Sequence, residues 1–146
     1  MNPQPEPPPV TGAEYRRLAA FRYTLRRFLR FSEEAAIAAG LPPHQHQALL
    51  AIKGFPADER AMTVGELAER LQIEPHSAAG LVQRLFKEDL VQKEPGGKDR
   101  RQVQLRLSAR GEQILARLSA AHREELRRLA PEWQILLDQL AGEDGR

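Results

Sequence analysis

The chain contains no cysteine. That excludes disulfides, thiolate metal ligands and any cysteine-based redox sensor. Only Met1 and Met62 offer a thioether, so methionine oxidation is a poor sensing chemistry here. No apolar run approaches the roughly 20 residues needed to span a bilayer. The N-terminus is polar and proline-rich rather than basic and then apolar, so no signal peptide is expected, and the expected location is cytoplasmic. There is also little excess charge: the formal net charge is +2 over 146 residues. A chain of that length is expected to form one folded domain with a real core.

The enzymatic patterns are missing as well. Ser32, Ser77, Ser108 and Ser119 lack a G-x-S-x-G elbow, and no phosphate-cradling G-x-x-x-x-G-K is present. Gly96-Gly97-Lys98 resembles a fragment of one but lacks the following helix and its Ser/Thr. No enzyme activity and no cofactor are expected. His44, His46 and His122 raise the question of a metal. Residues two apart on a helix do not share a face, so His44 and His46 are a poor chelating pair. No acidic cluster has zinc spacing, and no metal site is expected.

What the chain does have is a local concentration of positive charge. Over residues 84–110, Arg84, Lys87, Lys93, Lys98, Arg100, Arg101, Arg106 and Arg110 outweigh Glu88, Asp89, Glu94 and Asp99. This fits a polyanionic partner better than the whole-chain figure does. Within the same stretch, Val103, Leu105 and Leu107 alternate with Gln104 and Arg106, the period of a strand with one buried face. Gly96-Gly97 supplies the freedom a tight reversal needs. The spacing therefore predicts a hairpin whose tip carries Lys98, Arg100 and Arg101, shaped to enter a groove lined with phosphates.

The rest reads as helices. Residues 1–12 hold five prolines and are expected to be a disordered or polyproline-like tail. From Ala13 to about Ala39, Leu18, Phe21, Leu25, Phe28 and Leu29 share a stripe, and Gly40 ends the helix. His44–Lys53, with Ala48, Leu49 and Ile52 inward, forms a short second helix after Pro42-Pro43. Thr63 and Glu66 make a capping box for a helix reaching Leu71. Gln72-Ile73-Glu74 turns, and Pro75 opens a helix over His76–Lys87 whose apolar side is Leu81, Val82, Leu85 and Phe86. Two short helices, a tight turn and a basic hairpin make a helix-turn-helix with a wing. Ser108 caps a long helix to about Leu129, carrying Ile114, Leu115, Leu118, Ala121 and Leu126. Pro131 is expected to break or restart it before a short last helix bearing Trp133, Ile135, Leu136, Leu137 and Leu140.

The fold class is thus mainly α with a small β-hairpin wing, a winged helix-turn-helix between long N- and C-terminal helices. One domain over 13–146 is expected, with dimerisation parts at about 13–40 and 112–146 and a DNA-binding part at about 41–111. The terminal helices are too apolar to stand bare on so small a body. They either complete the core of one chain or pack on a second copy, and two half-site readers favour the homodimer.

In this order of elements the chain resembles the MarR family of winged-helix regulators. Asp99-Arg100-Arg101 through Leu107-Ser108-Ala109-Arg110-Gly111 reproduces the family's wing signature, D-x-R, five residues, L-[ST]-x-x-G. Leu41–Leu50, Val64–Ala68 and Leu81–Leu85 resemble its second helix and its helix-turn-helix. The resemblance runs from about residue 14 to 141. It implies an obligate dimer, a reading helix in the major groove and a wing in the minor groove. It also implies a repressor, less often an activator, commonly released by a small aromatic or phenolic acid. Two positions depart from the family: Asp89 stands where glycine is usual after the recognition helix, and Lys93 where arginine is more frequent. Aspartate tolerates the left-handed conformation better than most residues, so the turn is expected to survive.

Arg101 matches the family's wing arginine, and a guanidinium suits a narrow minor groove. Asp99 can orient it or, with it, pin the hairpin closed. Arg100 and Lys98 are expected phosphate contacts. On the recognition helix, His76, Ser77 and Gln83 face away from the apolar side and are candidate base readers or solvated surface. Gln83 can pair with adenine, and Arg84 with guanine or a phosphate. For an acidic ligand, Arg16, Arg22, His44 and His46 are the candidate residues, one histidine facing the cleft between the first, second and long helices. Partners expected are double-stranded DNA, a second copy and such an acid. The alternative is a winged-helix module that docks another protein without specific DNA binding.

Overall fold

Residues 3–56, 60–95 and 103–142 are described in the computed structural model. Among them five helices and three short strands follow in the order α1 (Gly12–Ala38), α2 (Pro43–Lys53), β1 (Met62–Thr63), α3 (Val64–Leu71), α4 (Pro75–Lys87), β2 (Val91–Pro95), β3 (Val103–Leu107) and α5 (Ala109–Leu140). No helix among the described residues is long and apolar enough to cross a membrane.

The boundaries follow local chemistry. Thr63 Oγ1 accepts from the Glu66 N–H at 3.2 Å, and Glu66 Oε1 accepts from the Thr63 N–H at 3.0 Å, closing the expected capping box of α3. A second box, not anticipated from sequence, opens α1, where Thr11 and Glu14 cap one another in the same way. Gly40, with φ of 86°, reverses the chain after α1. The Leu41 N–H then reaches back to the Ala36 carbonyl at 2.9 Å.

The strands form one antiparallel sheet of order β1-β3-β2 rather than a bare two-stranded hairpin. Met62 pairs with Leu105 and Thr63 with Gln104. Thr63 is thus a strand residue as well as the expected cap of α3. Both roles are compatible, because an N-cap residue has extended backbone, here φ −84° and ψ 164°.

The chain divides into two compact units. Residues Ser32–His122 make the larger one. Its core gathers Leu49 of α2, Met62 of β1, Leu67 of α3, Leu85 of α4 and Leu105 of β3, all fully buried. Each such side chain contributes on the order of 1.5–3 kcal/mol relative to exposure. The smaller unit joins the α1 segment up to Phe31 with the α5 segment from Arg123. In it the Trp133 ring meets Phe28 edge-on, centroids 5.7 Å apart, and Leu129 is buried. Tyr15, Leu18, Tyr23 and Leu29 of α1, and Leu126, Ile135 and Leu137 of α5, stay exposed in this unit.

Three expectations need correction. Pro131 does not break the last helix, because α5 runs unbroken to Leu140. A proline removes one backbone hydrogen bond, and Pro131 is solvent-exposed, where water can serve the carbonyl left without a donor. Phe86 does not belong to the buried side of α4 but is 52% exposed; at 100° per residue it lies beyond the stripe of Ala78, Leu81, Val82 and Leu85. Val103, near the hairpin tip, is 39% exposed, whereas Leu105 on the same sheet face is buried.

Candidate nucleic-acid interface

Helices α3 and α4 meet at a turn in which Gln72 takes a left-handed conformation, φ 55°. Its side-chain amide donates to the Glu69 carbonyl at 2.7 Å. Pro75 then occupies the first turn of α4, and Glu74 at the N-cap provides no side-chain cap. The opening turn of α4 therefore keeps N–H groups available to an acceptor from outside, such as a phosphate.

The two sides of α4 separate cleanly. Ala78, Leu81, Val82 and Leu85 are buried. His76, Ser77, Gln83 and Arg84 are all exposed, together with Ala79. The structure thus brings the four expected recognition-helix residues onto the solvent side of one helix. The small side chains of Ala79 and Gly80 between them leave the helix backbone close to whatever it meets.

The end of α4 is bolted to the start of α5. Asp89 has φ of 56°, the left-handed conformation expected where the family's glycine stands. The Leu90 N–H donates to the Leu85 carbonyl at 2.9 Å, and the Leu90 carbonyl accepts from the Ser108 N–H at 3.0 Å. Ser108 Oγ donates to the Asp89 carbonyl at 2.6 Å and accepts from the Gly111 N–H at 3.0 Å. Arg110 Nη1 donates to the Glu88 carbonyl at 2.7 Å. A Cβ on Gly111 would overlap the Leu90 carbonyl oxygen and lie 3.2 Å from its carbon. The Leu-Ser-x-x-Gly part of the wing signature is therefore a joint.

Between these elements the wing strands run in register, Val91 opposite Leu107 through Pro95 opposite Val103. Arg106 Nε and a Glu94 carboxylate oxygen pair at 2.9 Å on its outer face. Lys93 projects from the face shared with Leu105. Its ammonium lies 4.9 Å from the centroid of the Phe86 ring. The expected tip contacts Lys98, Asp99, Arg100 and Arg101 lie outside the described residues.

Arg60 clamps the start of α3, its two terminal nitrogens on the two Glu66 carboxylate oxygens at 2.6 and 2.8 Å. This guanidinium, with the Thr63 contacts, holds the Glu66 carboxyl down at about 2.

The expected ligand residues do not form a group in the larger unit. His44 is exposed, whereas His46 is 3% exposed, as their spacing on α2 dictates. Arg16 and Arg22 are exposed on the α1 segment of the smaller unit. His46 instead faces His122, ring centroids 4.9 Å apart. His122 Nδ1 lies 2.6 Å from the Leu118 carbonyl and must donate there, so in the neutral ring Nε2 accepts from Ser32 Oγ at 2.7 Å. Burial, and then the His122 neighbour, holds the His46 imidazole below its ordinary value. Among the described residues no group of three or more His, Asp or Glu side chains could hold a metal ion. A cavity of about 250 Å³ lies against β1 and β3, with Ile52, Met62 and Leu105 in its wall and the Lys53–Glu112 ion pair at 2.9 Å beside them. None of the four expected ligand residues lines it.

Residues 39–102 match the model of the MarR family. No curated protein sequence matches the chain. Among solved structures, the chain is similar to AbsC, a MarR family transcriptional regulator from Streptomyces coelicolor, with a TM-score of 0.71, 22% identity, and 91% of this chain and 92% of that one covered. It is similar to MepR of Staphylococcus aureus in its DNA complex, with a TM-score of 0.64, 15% identity and 85% of each chain covered. It is also similar to Staphylococcus aureus MarR in complex with salicylate and kanamycin, with a TM-score of 0.63, 22% identity, and 79% and 74% covered. At these identities the structural likeness establishes the fold, the winged helix of MarR-type transcriptional regulators.

Proposed function

We propose that this chain, whose residues 39–102 match the MarR family model, is a sequence-specific DNA-binding transcriptional regulator rather than an enzyme, and that it acts as a homodimer in the cytoplasm. The observation that carries this reading is α4. It exposes His76, Ser77, Gln83 and Arg84 along one side while its other side is locked into the core. A helix so presented, followed at once by a basic wing, fits the major groove with the wing beside it. His76, Ser77 and Gln83 are assigned to base edges, Arg84 to guanine or a phosphate, and Lys98 and Arg100 to phosphates. Arg101 is assigned to the minor groove with Asp99 orienting it. That MepR, a protein of similar fold, forms a complex with DNA supports DNA as the partner.

Dimerisation is supported by the smaller unit, whose two helical segments each leave large apolar side chains exposed, Tyr15, Leu18 and Tyr23 on one and Ile135 and Leu137 on the other. A second copy covers such a surface most simply. Residues about 13–40 and 112–146 are the dimerisation part, and about 41–111 the DNA-binding part. Two recognition helices related by a two-fold axis read an inverted repeat with half-sites about one turn apart. The regulator represses, and a small aromatic or phenolic acid releases it, with Arg16, Arg22, His44 and His46 as its candidate contacts. The salicylate complex of the structurally similar MarR supports that ligand class. An acid that favours a recognition-helix spacing unsuited to the two grooves would loosen binding by roughly 5- to 150-fold, for a coupling of ~1–3 kcal/mol.

Fluorescence anisotropy on DNA from upstream of the protein's own gene, against random DNA of equal length at two salt concentrations, tests the reading. Tight, salt-sensitive binding that prefers the upstream fragment is expected. Equal, weak and salt-insensitive binding to both, with another protein co-purifying, would replace it with the protein-docking alternative.

A further inference from the structure

A half-exposed phenylalanine at the end of a recognition helix calls for an explanation, because burial would repay it and the helix stripe does not take it. Its contact is with a cation. Lys93 pairs with Leu105 across the sheet and so shares the core-side face of β2 with the buried Val91. A lysine at that register position must run its stem along neighbouring apolar surface to bring its ammonium into water. The surface it meets is the Phe86 ring, with Nζ 4.9 Å from the ring centroid. Among the described residues no carboxylate lies within ion-pair distance of Lys93, and the adjoining Glu94 is committed to Arg106. The ammonium thus has no carboxylate partner among the described residues and lies over a ring on α4, where the recognition helix and the first wing strand adjoin.

We infer that Phe86 is a positioning residue for DNA binding: its ring holds the Lys93 ammonium where it meets a backbone phosphate beside the recognition helix. The inference rests on the DNA-binding reading above and adds a phosphate contact and its support, neither of which belongs to the residues assigned there. A cation over an aromatic face is attracted by the ring quadrupole and remains free to donate to an anion. Phe86 thereby ties the lateral position of a wing-base charge to the position of α4. A phosphate contact made this way carries no sequence information itself but fixes register on the duplex.

The test is a double-mutant cycle read by anisotropy on duplex DNA across a salt series, with thermal unfolding as the control. Lys93→Ala is expected to lower the slope of log affinity against log salt by about one per half-site. Phe86→Leu keeps an apolar side chain but removes the ring, and is expected to weaken binding about 2- to 5-fold. Phe86→Tyr is expected to retain parental affinity. In the Lys93→Ala background, Phe86→Leu is expected to change nothing, a non-additivity that a purely structural role would not produce. A parental salt slope in Lys93→Ala, or an equal effect of Phe86→Leu in both backgrounds, would overturn the inference while leaving DNA binding intact. Failure of the parent protein to bind any duplex would overturn the DNA reading itself, and the inference with it.

Discussion

Gly111→Ala is expected to be among the most damaging single-methyl additions in this protein, and the structure supplies the magnitude. The added Cβ would meet the Leu90 carbonyl, a backbone group that no rotamer change can move. Leu90 is held from both sides, by Leu85 at 2.9 Å and Ser108 at 3.0 Å. Relief therefore requires parting the α4 end from the α5 start. That movement gives up the Ser108 N–H bond to Leu90 and both Ser108 Oγ bonds, to Asp89 and Gly111. At about 1 kcal/mol each these amount to roughly 3 kcal/mol. Alanine's better helix propensity returns about 1 kcal/mol, and overpacking adds about 1–3 kcal/mol. A net loss of about 3–5 kcal/mol follows. Gly65→Ala in α3 provides the contrast, since nothing lies within 4 Å of its Cβ position; there the same change is expected to stabilise by about 0.5–1 kcal/mol. Urea unfolding of both variants beside the parent measures the difference. A Gly111→Ala variant within about 0.5 kcal/mol of the parent would refute the joint as described.

Three further outcomes are expected. Because the His46 imidazole titrates below its ordinary value when folded, the unfolded chain takes up its proton first; stability is full above about 6.5 and declines as the pH falls below it. Thermal midpoints measured from pH 7.5 to 5 should show this limb in the parent and lose it in His46→Leu, and an identical limb in both would exclude His46 as its source. Thr63→Ala removes the Oγ1 that caps Glu66 and should cost about 1 kcal/mol, whereas a neutral result in urea unfolding would deny the cap any energetic role. Arg101→Ala should weaken operator binding and lower its salt dependence without changing the thermal midpoint, and unaltered affinity would remove Arg101 from the interface.

Much of this architecture was legible because its signals are local. The Thr63–Glu66 box, Pro75 at a helix start and the tolerance of Asp89 for a left-handed turn all concern neighbouring residues, and each sits where the spacing placed it. The separation of His76, Ser77 and Gln83 from Leu81, Val82 and Leu85 followed from helical periodicity in the same way. What escaped depends on distant partners. Strand β1 is two residues long and exists because Leu105 and Gln104 arrive opposite it. The His46–His122 pairing joins α2 to α5, and no spacing rule relates those positions. Phe86 looked like core because apolar character was visible and the Lys93 ammonium beside it was not. Gly111 matched a motif, but its reason is the Leu90 carbonyl across the joint. Pro131 was overvalued as a breaker because its exposure was invisible.

The most direct measurement of the central claim is selection of duplexes from a random-sequence pool by the purified protein. The account predicts enrichment of an inverted repeat with half-site centres about 10 base pairs apart, lost when Gln83 and Arg101 are both replaced by alanine. A pool that stays random after repeated rounds, while the protein remains folded, would contradict sequence-specific recognition by this winged helix.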